Sequence, residues 1–476
     1  MTEQPLATAD NHGLHRQLRL RDLVLAQVLT VVGSSWVGIA AGLGSGEFVA
    51  WIAAFVFFYA PMAVAVYFLN REMPLEGGLY VWAKRAFGDA IGFMVAFNIW
   101  AYALSSIATI LFQIPSEMAF MIGPRAAALP DNHKLVYIIL AIILALLTWT
   151  ALRGLGLGKW IHNISGAAMI AAFVLLIAAP LWALAHGAHL HWNPAPMHLP
   201  AHDLMSLSLF GQVLFAAAGL EYIAIMAGET HGASRTISLS VVVATPIVFL
   251  MFTLGTASVT TFHGLHPQTA INYVAPIPQT LSQAFGEHGP AAWVAKLTIF
   301  LLQIRIIGAA SFLFTGATRL PMAAGWDYLI PAWFARLNSR RIPANSILLT
   351  GAVVGALLVL GSIGVHAAEA FAVLNDASSE FYALAYLAMF LIPILGAREL
   401  RKRMPTWAAI VCISGVLTTI FCLLFNAYPF VGVDDPKAFA IKILGTTIGV
   451  NALAYLFYAL RSRRNQQTSN SLNELN

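Results

Sequence analysis

A chain of 476 residues that is 59% hydrophobic and only 10% charged, with a mean hydropathy of +0.76, falls outside the soluble globular class, in which about a quarter of residues are charged. Its long apolar runs favour helices over a transmembrane barrel, which shows alternation in segments of about ten residues. The composition therefore predicts an all-α integral membrane protein.

The first 21 residues are polar and end in Arg16, Arg19 and Arg21. No short apolar run with a small-residue cleavage site precedes the first long one. We expect no removable signal peptide, and the first span should act as its own insertion signal. A hydrocarbon core takes about 20 apolar residues per helix. Twelve runs of that kind follow, at 22–44, 47–70, 88–122, 135–153, 160–186, 204–228, 237–261, 292–318, 345–365, 370–397, 406–428 and 438–460. The third exceeds a perpendicular crossing and is expected to tilt or to extend beyond the lipid.

Lys and Arg in the connections set the orientation. With the amino terminus inside, inner segments hold 20 of them against 3 in the outer connections, Arg125, Lys134 and Lys437. Together with an even span count, this predicts a multi-pass protein of the plasma (inner) membrane with both termini in the cytoplasm.

The outer connection near 186–203 carries His186, His189, His191, His198 and His202. Clustered histidines can bind zinc or sense pH. No helical His pair with a carboxylate accompanies them, and Pro194, Pro196 and Pro200 favour an irregular polar loop. The segment 262–290, with Pro276, Pro278 and Pro290, is expected to form a short re-entrant or capping helix over the outer face. Gly154, Gly156 and Gly158 follow no strand and read as a flexible inner turn. Cys412 and Cys422 lie about 15 Å apart along one helix, too far to pair with each other, and read as small buried hydrophobes. The Asn/Gln/Ser-rich tail from Asn465 has too little apolar surface to fold and is expected to be disordered.

Two spans are broken in the middle by small or polar residues. Span one reads Val32-Gly33-Ser34-Ser35-Trp36, and span six reads Phe215-Ala216-Ala217-Ala218-Gly219-Leu220-Glu221-Tyr222. A matched pair of interrupted helices points to a transport site near the bilayer midplane. Backbone groups freed at such a break need partners, and the N–H groups at a half-helix start suit a carboxylate. A single break alone is equally well read as a seam of small residues between packed helices. The pair favours a site.

Two ionisable residues sharpen this. Glu221 sits inside an apolar span, where a carboxylate is a functional candidate by default. It is either a coupling group for protons or a substrate amine, or a structural acceptor for unwound backbone. Desolvation favours the neutral carboxyl form, which suits proton coupling. Arg305 lies 14 residues before the inner-edge Arg319, about 21 Å of helix, too deep to reach water. It either holds an anionic substrate group, stands where another transporter places a cation, or pairs with Glu221, Glu117, Asp376 or Glu380. Tyr102 and Phe215 are candidate aromatic lids, although an isolated membrane aromatic is most often packing.

Enzyme signatures are absent. No GxxxxGK[ST] loop occurs, so ATP-driven pumping by this chain is not expected, and no HExxH or paired CxxC appears. No cofactor, metal or nucleic acid is expected. The expected partners are a small-molecule substrate, protons and the lipid bilayer.

Three stretches carry a family resemblance. Pro74-Leu-Glu-Gly-Gly-Leu-Tyr-Val-Trp-Ala-Lys-Arg-Ala-Phe-Gly88 resembles the P-x-x-G-G-x-Y element of amino acid permeases of the amino acid–polyamine–organocation (APC) superfamily. Phe215 to Glu221, followed by Gly228-Glu229-Thr230 and Arg235, resembles that family's span six. Ala317-Thr-Arg-Leu-Pro-Met-Ala-Ala-Gly-Trp-Asp-Tyr-Leu-Ile-Pro331, with the inner loop ending at Pro343, resembles its loop after span eight. The R-L-P-x-x-x-G-x-D form looks closest to the branch of polyamine–proton symporters and L-type-like amino acid carriers.

The resemblance implies a LeuT-type fold. A 1–21 cytoplasmic segment would precede a 22–397 core of two inverted five-helix repeats. Two added helices would occupy 398–461, before a cytoplasmic tail at 462–476. It implies a central site between spans one, three, six and eight, with Phe215 as gating aromatic and Glu221 as span-six acid. A span-eight aromatic found in some relatives falls at Ala310, and where the family usually reads G-S-G-I-F, this chain has Gly33-Ser-Ser-Trp-Val37. Arg305 lies near the level at which sodium-coupled members of the fold hold a cation. The expectation is a secondary transporter for amino acids or related organic amines working by alternating access, coupled to protons or exchange. The substrate-binding residues would be Val32, Gly33, Ser34, Ser35, Trp36, Tyr102, Phe215, Ala218, Gly219, Glu221 and Tyr222, with Glu221 and Arg305 for coupling. The alternatives are a polyamine–proton symporter of the same fold, which would want several carboxylates, and a non-transporting membrane sensor, which would want a soluble signalling domain.

Overall fold

The computed structural model describes residues 18–73, 78–153, 155–188, 203–223, 230–323, 333, 336–338 and 342–473. Its regular structure is helical. In chain order the helices are α1 (Leu20–Val31), α2 (Ser34–Ala41), α3 (Glu47–Ala54), α4 (Ala60–Glu72), α5 (Leu79–Phe87), α6 (Asp89–Ile122), α7 (His133–Arg153), α8 (Leu155–Ala185) and α9 (Leu204–Ala216). They continue with α10 (Ala233–Leu265), α11 (Pro276–Phe285), α12 (Ala292–Ala323), α13 (Ala344–Leu360), α14 (Ala367–Leu395), α15 (Arg398–Arg403), α16 (Thr406–Phe425) and α17 (Pro436–Asn473).

Ten helices among the described residues are long and apolar enough to cross a bilayer, and the bent pair α1–α2 makes eleven. The ninth run in the sequence, 345–365, corresponds to α13, which has 17 residues. That is about 26 Å of helix against a hydrocarbon core of about 30 Å. The helix stops early because Gly361 opens a turn that ends at Gly364, with φ +72. α6 has the expected excess length, 34 residues, held between Gly88 (φ +91) and Gly123 (φ +102). α17 is helical through Asn473, beyond Asn465 where disorder was expected from composition. Backbone hydrogen bonding within a helix needs no apolar surface, so composition alone did not end it.

In a bilayer every backbone group and every buried hydroxyl needs a protein partner. Thr109 donates to the Ser105 carbonyl one turn back, and Thr298 to Val294. Interhelical polar contacts fix neighbours. The Asp22 carboxylate accepts from the Arg19 backbone at the start of α1 and from Asn163 of α8. Asn98 of α6 and Asn451 of α17 exchange amide hydrogen bonds at 2.7 and 3.2 Å, docking the last helix on the bundle. Between α3 and α4, a widened turn at Phe55–Tyr59 carries Phe58 into the core against Phe215, Tyr386 and Phe390.

The packing places α6, α12 and α14 together at the centre, with α1 against α8 and α10 and α16 against α14, α4 and α9. The expected short helix in 262–290 is α11, and it seats against α2. A side chain at Gly38 would lie 2.5 Å from Pro276, so only glycine lets α11 approach that closely. Residues 189–202, with most of the histidine-rich connection, lie outside the described residues, as do 74–77 and 324–332 of the sequence motifs.

Candidate functional site

Span one bends by 45° between α1 and α2. Val32 and Gly33 are both extended (φ −81, ψ 107; φ −100, ψ 141), and α2 starts at Ser34. Gly33 offers no capping side chain, so the first-turn N–H groups of α2 have no intrahelical or cap partner. Gly33 is required for space, not for φ. A Cβ there would lie 2.6 Å from Trp36 Cδ1.

Span six breaks at the corresponding place. α9 ends at Ala216, and Ala218 N–H turns back to the Phe215 carbonyl at 3.0 Å. Gly219 takes φ +124, a region where L side chains are strained, and a tight turn carries the chain through Leu220–Ile223. The Gly219 N–H donates to the Tyr386 hydroxyl of α14 at 2.7 Å, so a freed backbone donor is satisfied from another helix.

A cavity opens where the two breaks meet. Leu29 to Gly33, Ser35 and Trp36 line it from span one, and Phe215, Ala216 and Ala218 from span six. Tyr102, Ser106, Thr109 and Gln113 of α6, Arg305 of α12, and Asn375, Ser378, Ser379 and Tyr382 of α14 add its further polar and aromatic side chains. Tyr102 stacks face to face on Tyr382, with centroids 3.6 Å apart and planes 11° apart. Phe215 stands edge-on to Tyr382 and Tyr386, with ring centroids 6.0 and 5.7 Å apart.

Buried charges occupy separate niches. The Arg305 guanidinium, 2% exposed, donates through Nη2 to Ser34 Oγ at 2.7 Å and to Gln113 Oε1 at 2.8 Å. Its acidic partner is Glu117, at 4.0 Å, which also accepts from Ser34 and from Gln303. Of the four acids the sequence left open for Arg305, Glu117 is therefore the one it meets. Glu221 instead accepts hydrogen bonds from the hydroxyls of Tyr382 and Tyr386. Asp376 accepts from Gln212 and Asn375.

Of the residues expected from sequence, Val32, Gly33, Ser35, Trp36, Tyr102, Phe215, Ala218 and Arg305 line the cavity. Ser34, Gly219, Glu221 and Tyr222 stand behind that lining. Ser34 orients Arg305, Gly219 and Glu221 meet α14, and the Tyr222 hydroxyl donates to the Leu313 carbonyl at 3.0 Å. Ala310 is fully buried and lies outside the lining, between its lining neighbours Ala309 and Leu313. Sequence reasoning missed Gln113, Tyr382 and Tyr386. The available signal was the polar run Asn375-Asp-Ala-Ser-Ser-Glu380 just before the tyrosines in an apolar span.

A cavity between two helix breaks in an all-helical membrane bundle is an arrangement that suits a transporter. The family model for amino acid permeases matches residues 23–450, and the chain belongs to that family. It is a transporter, not an enzyme. It is 25% identical to an uncharacterized transporter of Legionella pneumophila, over 80% of this chain and 81% of that one. It is 22% identical to a glutamate/gamma-aminobutyrate antiporter of Lactococcus lactis, over 83% and 80% of the two chains. A probable agmatine/putrescine antiporter of the same species is 24% identical over 90% of each chain.

Proposed function

We propose that the protein is a secondary active transporter of amino acids or related organic amines, working by alternating access and driven by protons or by exchange. The observation that carries this is the cavity between the two breaks. The cavity is reached by the uncapped N–H end of α2 and by the carbonyl ends of α1 and α9. A helix N-terminus favours a carboxylate and a C-terminus an ammonium group. The paired polarity suits one zwitterion.

In this reading the chain crosses the plasma (inner) membrane twelve times, α13 included, with both termini in the cytoplasm. Residues 22–397 form the inverted-repeat core, and 398–461 the two added helices. Phe215 closes the outer side of the cavity. Arg305, a buried charge near the level at which sodium-coupled members of the fold hold a cation, supports proton coupling or exchange. The antiport named for two relatives supports exchange as one mode.

Uptake into liposomes containing the purified protein, under imposed proton or sodium gradients or with amino acid preloaded inside, tests the proposal. Accumulation that responds to pH or to the preload is expected. Strong sodium dependence with no response to either would sink the coupling assignment.

A further inference from the structure

We propose that Arg305 makes the cavity a charge filter, admitting substrates with a carboxylate and at most one ammonium group and rejecting diamines and guanidino-amines. This rests on the transport reading above and narrows its substrate class, which otherwise spans amino acids and amines alike.

The observations are geometric. Arg305 lines the cavity, and its Nε has no hydrogen-bond partner although the side chain is buried. Its bond to Ser34 fixes the guanidinium beside the first turn of α2. Two positive fields, a side-chain cation and a helix N-terminus, thus converge on one corner of the cavity. Among the described residues no carboxylate lines the cavity. Glu117 is engaged with Arg305, Ser34 and Gln303. Glu221 is engaged by Tyr382 and Tyr386, and Asp376 by Gln212 and Asn375. Glu380, also buried, is absent from the lining.

A single ammonium group finds the carbonyl ends of α1 and α9 near Val31 and Phe215. A second cationic group on the same substrate finds no carboxylate and faces Arg305 instead. Unpaired charge in a low-dielectric site is penalised strongly, so a dication should bind at least about tenfold more weakly than a zwitterion of similar size. A carboxylate brought to the same corner gains both positive fields.

Ligand-induced thermal stabilisation of the purified full chain tests this. The panel is L-alanine, L-glutamate, 4-aminobutyrate, putrescine and agmatine, with uptake of each into liposomes measured in parallel. One or more of the three carboxylate-bearing compounds should stabilise the wild-type protein, and putrescine and agmatine should not at the same concentration. The double variant Arg305→Gln/Glu117→Gln removes the filter without stranding a charge, and should weaken the carboxylate ligands about tenfold. Arg305→Lys should keep the diamines excluded. Stabilisation and uptake of putrescine or agmatine equal to that of the amino acids overturns the filter and leaves the transporter reading standing. Failure of every compound, in both stabilisation and uptake, overturns both. The wild-type panel decides the matter even where a variant fails to fold.

Discussion

Arg305 of α12 donates a 2.7 Å hydrogen bond to Ser34, the first residue of α2, and so ties span eight to the broken span one across the cavity. Glu117 of α6 stands 4.0 Å from the same guanidinium and accepts from the same serine. Removing one member of a buried pair strands the other charge, at about 3–5 kcal/mol. Arg305→Ala and Glu117→Ala should therefore each lower the melting temperature of the purified protein strongly. The neutral double variant Arg305→Gln/Glu117→Gln should lose less than the sum of the two Gln single variants. Additive losses in a thermal-shift double-mutant cycle would show the pair to be uncoupled.

Glu221 faces two hydroxyl donors, but the two tyrosines are not equivalent. Tyr382 donates to Glu221, whereas Tyr386 donates to Glu221 and also accepts the Gly219 N–H at 2.7 Å. A buried donor or acceptor left unsatisfied costs about 1–3 kcal/mol. Tyr386→Phe strands two groups and Tyr382→Phe one, so Tyr386→Phe should be the more destabilising. Equal melting temperatures for the two variants would contradict this bonding pattern.

The proton role expected of Glu221 from sequence can be tested apart from its structural one. Glu221→Gln keeps one acceptor oxygen for the tyrosines but cannot exchange a proton. If the residue couples transport to protons, initial uptake rates in Glu221→Gln should lose their dependence on external pH while binding persists. A pH profile unchanged from the wild type, beside a lowered melting temperature, would assign Glu221 to scaffolding alone.

Much of this arrangement could be read from residues in order. Apolar runs marked the spans, because a bilayer demands about 20 such residues for each crossing. Gly33 and Gly219 marked the breaks, and the depth of Arg305 required a buried partner. Which acid it would meet was not legible. Glu117 and Glu221 are both isolated acids in apolar helices, and only the packing of α6 against α12 decides between them. Tyr382 and Tyr386 escaped notice because aromatic residues in a membrane helix look like packing until a carboxylate is brought against them. The length of α13 was overestimated because Ser362 to Val365 reads as a continuation of the run, whereas the backbone turns there.

Gly33 and Trp36 form a steric pair that can be tested by compensation. Gly33→Ala keeps an accessible backbone conformation (φ −100) but drives a methyl group into the Trp36 ring at 2.6 Å. Overpacking of this kind costs about 1–3 kcal/mol, and here it should also displace a ring that lines the cavity. Gly33→Ala alone should reduce both stability and transport. Gly33→Ala/Trp36→Ile should recover stability toward that of Trp36→Ile, because the smaller side chain vacates the space. No recovery would mean that the methyl group meets something other than the indole.

The seat of span six on α12 depends on Gly316. A Cβ there would run into the Tyr222 hydroxyl and lie 2.6 Å from two ring carbons, and the ring is rigid. Tyr222 is itself held by its bond to the Leu313 carbonyl, so it cannot swing aside without losing that partner. Gly316→Ala should push the turn after Gly219 away from α12, at about 1–3 kcal/mol. Because that turn also carries Glu221, the variant should lower transport by more than its loss of folded protein accounts for. Tyr222→Phe in the same background removes only the oxygen and should rescue little, whereas Tyr222→Leu removes the ring and should rescue most of the lost stability. Full rescue by Tyr222→Phe would place the clash at the hydroxyl alone and show that the ring has room to move.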